Sequence, residues 1–166
     1  MINIVCTSKP GDGLLCYSYE HCCYLNSIGI KAQVVIITHY NFSKKHYIDA
    51  ITEKYKTCSN IIFDFYTPES DDITFILGRS MLTLLFKDKD YYTTDQLMTG
   101  HLLFNNKLIA IYSENHVREY PMALEYFKPK QVYDMCDYDV YPNGVGVYYE
   151  KMINFEEYKP VKNDVQ

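Results

Sequence analysis

Tryptophan is missing from this 166-residue chain, as are any CxxC pair, any long apolar run and any dense basic cluster. Each absence closes off a class of protein. No stretch approaches the roughly 18 apolar residues that a membrane-spanning helix needs. The short apolar run at the N-terminus breaks into a turn too early to serve as a signal peptide, so no membrane partner is expected. The longest basic cluster is the pair Lys44 and Lys45, and the formal net charge is −5. A protein that binds nucleic acid by neutralising phosphates wants the opposite balance. The six cysteines (Cys6, Cys16, Cys22, Cys23, Cys58 and Cys136) follow neither metal-ligand spacing nor a regular disulfide framework. Mostly buried thiols in a reducing compartment are expected, which means cytoplasm, or host cytoplasm for a viral chain. There is no G-x-S-x-G elbow and no P-loop, so nothing argues for a hydrolase or a kinase.

What is present points to one layered α/β domain. The length suits a single core, which at this size buries roughly 70% of the extended chain's surface, and 48% of the residues are apolar. The 18 tyrosines, with plentiful Asn, Lys and Ile, are explained more simply by compositional bias than by a stacking surface. Residues 1–158 read as the domain and 159–166 as a tail or linker.

The stretch Ile2 to Ile30 organises the rest. Ile2, Ile4 and Val5 make the short apolar run of a strand covered on both faces. Gly11 and Gly13 permit a sharp turn and a close approach to the backbone. Leu14, Ser18, Cys22, Leu25 and Ile28 then recur at helical spacing, and Gly29 stands where a helix should stop. Further strands are expected over Val34 to Thr38, Ile61 to Phe65, 73–79 and Leu108 to Tyr112, with another piece from Val132. Of all these runs, Ile2 to Cys6, Val34 to Thr38, Ile61 to Phe65 and Leu108 to Tyr112 should lie in the sheet interior. Helices are expected from Ser43 through Tyr55, over Thr93 to Phe104 and over Glu119 to Phe127, whereas 80–86 is compatible with helix or strand. The fold class is thus a single doubly wound, mainly parallel sheet with helices on both faces, Rossmann-like.

In such a sheet, loops at the carboxyl ends of the strands hold ligands. That edge should carry Gly11, Asp12 and Gly13 after the first strand, His39 and Tyr40 after the second, and Glu114 and His116 after the fifth. A dinucleotide would require G-x-G-x-x-G and an acidic residue about 20 positions on. Cys16 fills the third glycine slot and His39 and Tyr40 stand in place of the carboxylate, so no nicotinamide cofactor is expected. A helix N-terminus after a glycine turn can receive an anion, but Asp12 would repel one. A His beside a carboxylate at a strand end can deprotonate a hydroxyl, and His116 with Glu114 makes such a pair. Asp137 and Asp139 could bridge a cation, yet solvated carboxylates are the plainer reading, and no metal site is expected.

Three pieces together resemble the N-terminal, acceptor-side domain of glycosyltransferases with two facing Rossmann-like domains, the GT-B class. These are KPGDGLLCYSYEHCCYLNSIGIKAQVV, LIAIYSENH and DVYPNGVGVYYEKMINFEEYKP. The chain is similar to phage DNA glucosyltransferases and to glycogen-synthase-like transferases. The resemblance implies that Gly11 and Gly13 line the cleft near the transferred sugar and that Glu114 and His116 sit at the acceptor side, as catalytic residues. It also implies a sugar nucleotide as donor substrate, no bound cofactor, and a second donor-binding domain or chain as partner. The acceptor would be a host protein or DNA. The competing expectation is a non-catalytic, phage-type module that keeps the fold and binds a host protein.

Overall fold

Strand and helix alternate along the chain as the apolar periodicity requires. The computed structural model describes residues 1–54, 60–104, 107–112 and 120–134. In chain order the elements are β1 (Ile2–Cys6), α1 (Gly13–Ser27), β2 (Ala32–Ile36), α2 (Lys44–Lys54), β3 (Asn60–Phe63), β4 (Ile73–Leu77), α3 (Gly78–Phe86), α4 (Thr94–Leu103), β5 (Leu108–Tyr112), α5 (Tyr120–Phe127) and β6 (Gln131–Asp134). The six strands form one sheet in the order β3-β2-β1-β4-β5-β6, and every neighbouring pair is parallel. This is the doubly wound order of a Rossmann-like fold.

Register explains why the inner strands are apolar without alternation. Ile4 lies opposite Val34 and Phe75, and Val5 lies opposite Val35 and Ile76. Because successive side chains point to opposite faces, the first set packs under α1 and α2 with Leu15, Tyr19, Cys22, Leu25, Tyr47 and Ile51. The second set packs under α3, α4 and α5 with Met81, Leu84, Leu97, Leu103 and Ala123. Both faces are covered, so alternation would have placed polar groups in a core.

Several expectations shift. The second strand starts at Ala32 and ends at Ile36, earlier than Val34 to Thr38, because Thr38 turns away to bond Asp64. The third ends at Phe63, short of Phe65, because Asp64 takes a left-handed φ of 65°. It is also an edge strand and not an interior one: the crossover that follows it returns across the sheet to β4, so nothing pairs beyond it. The ambiguous segment 80–86 is helical and belongs to α3, which starts directly after β4. Cys6, Cys16 and Cys22 are free thiols, but Cys23 is disulfide-bonded.

Residues 64–72 cross back over the sheet without a helix, and a buried polar network pins them. Asp72 accepts from the Asn3 amide at 2.9 Å, the Tyr66 hydroxyl at 2.8 Å and the Glu69 N–H at 3.2 Å. The Met1 ammonium lies 3.5 Å away. Burial alone would raise the Asp72 pKa, but these donors outweigh it and hold the carboxyl below its ordinary value.

Candidate functional site

Between β1 and β4 the connections change face, since β1 leads into α1 on one side and β4 into α3 on the other. A crevice opens at the carboxyl ends of strands that diverge in this way. A cavity of about 170 Å³ fills it, and four segments contribute its walls: Thr7, Ser8, Lys9, Asp12 and Leu14 after β1, His39 after β2, Arg79 and Thr83 on α3, and Asp88, Tyr91 and Tyr92 from the loop before α4.

Tyrosine hydroxyls and one glutamine sew these segments together. The Tyr92 hydroxyl donates to the Thr7 carbonyl, and the Tyr47 hydroxyl accepts from the His39 N–H at 2.7 Å. Burial raises the pKa of both phenols, that of Tyr47 to about 12, so they remain protonated. The Tyr40 N–H donates to the Tyr91 carbonyl at 2.9 Å, and the Thr7 N–H donates to Ser80 Oγ at 3.1 Å. Gln96 closes a capping box with Thr93 at the start of α4. Its amide also reaches Asp64 Oδ1 at 2.8 Å and the Thr38 carbonyl at 3.1 Å, which ties α4 to the ends of β2 and β3.

His39 is the aromatic centre of the site. Its ring stacks on Tyr91 at 4.4 Å between centroids and near-parallel to Tyr40 at 5.8 Å. Burial lowers its pKa and the Lys9 ammonium adds to the effect, while Asp88 opposes it. Nδ1 accepts from the Asn41 N–H at 3.3 Å, so the neutral ring carries its proton on Nε2. The charged lining is balanced, with Lys9 and Arg79 against Asp12 and Asp88. A cavity that offers donors, acceptors and a ring face, with no excess of charge, suits a neutral hydroxylated ligand better than a bare phosphate.

Asp12 and His39 line the cavity, whereas Gly11, Gly13 and Tyr40 are not among its walls. Gly11 has a φ of 84°, which explains its glycine, but a Cβ at Gly13 would meet only a Tyr17 ring carbon at 3.9 Å. Tyr40 stands outside, 62% exposed. Asp12 is the N-cap of α1, its carboxylate turned onto the Leu14 N–H at 3.5 Å. The anion position of the glycine turn is therefore occupied by the chain itself. Glu114 and His116 lie outside the described residues, although β5 ends at the same sheet edge. Among the described residues no cluster could hold a metal ion, and no helix is long and apolar enough to cross a membrane.

Sequence reasoning passed over Arg79, Thr83, Asp88, Tyr91 and Tyr92. Arg79 becomes visible as a strand-end residue only once 78–86 is known to be helical, and the others lie in loop or outward helical positions with no motif. No protein-family model matches the chain, and neither a curated protein nor a solved structure does so.

Proposed function

We propose that this chain is the acceptor-side half of a sugar-nucleotide-dependent glycosyltransferase, incomplete without a second nucleotide-binding domain, and that the crevice between β1 and β4 receives the acceptor. The observation that carries the reading is the balanced polar cavity beside a stacked His39–Tyr91 platform. Sugars are held by flat ring faces together with side chains that both donate and accept. His116 would act as the base that deprotonates the acceptor hydroxyl, with Glu114 as the alternative base or the group that orients the imidazole; both assignments rest on the GT-B resemblance. The partner would be the donor-binding half, and the setting the cytoplasm, of a host if the chain is viral; the free thiols of Cys6, Cys16 and Cys22 favour that setting and the Cys23 disulfide counts against it.

Calorimetry with methyl glucoside, a small hydroxylated probe, tests the cleft. Weak binding in the millimolar range is expected, reduced about tenfold by Tyr91→Ala, since a lost ring face costs about 1.4 kcal/mol. The isolated chain should turn over no UDP-glucose. Unchanged affinity in Tyr91→Ala would remove the site from the proposal.

One feature favours the second reading, a module that binds a host protein without catalysis. Tyr40 and Phe65 at the carboxyl edge are 62% and 65% exposed, the aromatic exposure typical of interface anchors.

A further inference from the structure

A second and larger cavity lies against α4 and the loop that leads into it. It measures about 310 Å³ and is lined by Lys87, Lys89, Thr94, Leu97, Met98 and His101. Its size reaches the lower end of small-molecule pockets, roughly 300 Å³. Leu97 and Met98 make the floor apolar, and Met98 is 56% exposed where a surface helix would ordinarily carry a polar residue. A methionine wall adapts its shape to what packs on it.

The polar groups around that floor all have one sign or none. Lys87 and Lys89 are ammonium groups, and among the described residues no carboxylate lines the cavity. Lys87 also holds a left-handed φ of 50° as the C-cap of α3. Glycine is the residue that adopts this conformation freely, and Lys128 holds the same one just after α5. His101 is half-buried and packs against Phe104 and Phe127, with centroids 6.3 and 5.7 Å away. Its pKa is lowered by burial and by the nearby Lys87, against a bond to the Leu84 backbone. Its Nε2 has no hydrogen-bond partner among the described residues. Asp88 and Asp90 alternate with the two lysines along the chain but do not line the cavity, so its apolar floor with two ammonium groups in the lining matches a molecule with an apolar tail and an acidic head.

We infer that the α4 cavity binds a small amphiphilic carboxylate, its chain on Leu97 and Met98 and its acid between Lys87 and Lys89. The site is separate from the crevice between β1 and β4 and does not depend on the transferase reading.

Octanoate, octanol and acetate added to the ¹⁵N-labelled full chain provide the test. Octanoate should give saturable shifts confined to Lys87, Thr94, Met98 and His101, and should raise the His101 pKa, because an anion then opposes the Lys87 ammonium. Octanol should bind about tenfold more weakly or less, and acetate should not saturate. The double variant Lys87→Gly with Lys89→Ala keeps the left-handed backbone and should melt like the wild type. It should lose the preference for the acid over the alcohol. Equal binding of octanoate and octanol, scattered shifts without saturation, or a His101 pKa that does not move would overturn the proposal. A dimer in sedimentation that buries Met98 and resists octanoate would assign the cavity to a second copy of the chain instead.

Discussion

Two helices begin at the carboxyl edge of the sheet on either side of the same crevice, and they begin differently. α1 follows a glycine-bearing turn, and Asp12 caps it with its own carboxylate. α3 follows β4 with no turn at all; its N-cap is Leu77, and no described side chain caps its free N–H groups. The glycine turn, which catches the eye in the sequence, is thus the closed side. The open side is the plain junction Leu77–Gly78, where Arg79 and Thr83 face the cavity. A glycine loop marks where a backbone can turn, and only the capping residue decides whether the helix end remains available.

The largest test of this comparison concerns how firmly α1 is seated. His21 on α1 stacks on Phe75 of β4 with ring centroids 5.2 Å apart, and burial lowers its pKa from 6.5 to about 3. The unfolded chain therefore takes up a proton near pH 6.5 that the folded chain refuses until about pH 3. The stabilisation is complete above that window. It should fall by about 1.4 kcal/mol per pH unit as the pH drops through it. Urea unfolding at pH 7, 6 and 5 should show a steeper loss in the wild type than in His21→Phe. The subtraction also removes the smaller contributions of His39 and His101, which shift the same way. Parallel pH profiles for the two proteins would mean that α1 is not held as described.

A middle-sized effect is expected on the other side. Gln96→Leu removes the capping box of α4 and the amide that satisfies Asp64 and Thr38, so Asp64 loses a buried donor. The cost should be about 2 kcal/mol in urea unfolding, with faster amide exchange at the ends of β2 and β3. A change within experimental error would show that the α4 wall stands without this tie. The smallest effect belongs to the turn itself. Asp12→Ala should cost about 1 kcal/mol, while Asp12→Asn, another good N-cap, should cost almost nothing. Equal losses in both variants would point to a charge interaction and not to capping.

The strands were legible because a sheet covered on both faces leaves unbroken apolar runs such as Val34 to Ile37, all buried. The edge position of β3 was not legible. Its burial pattern is only intermediate, yet NIIF reads like an interior strand, because pairing partners are chosen by topology and not by local composition. The junction at Gly78 was hidden for a related reason: ITFILGRSMLTLLF is mostly apolar on both sides of Gly78-Arg79, and one short polar interruption does not tell a strand that passes straight into a helix from a strand followed by another strand. The site was half legible. Asp12 and His39 stand at strand ends where the fold rule looks, but Asp88 and Tyr91 reach the crevice from a loop between two helices, a route that only the tertiary packing creates.

Chemical-shift mapping of methyl glucoside on the ¹⁵N-labelled chain tests most directly the claim that the crevice is a hydroxyl-binding site opened from the α3 side. The expected result is a saturable set of shifts at Ser8, His39, Arg79, Thr83 and Tyr91, retained in Gly13→Ala, whose added methyl group has room. Shifts centred on Gly11 and Gly13 and abolished by Gly13→Ala, with Arg79 and Thr83 silent, would contradict it.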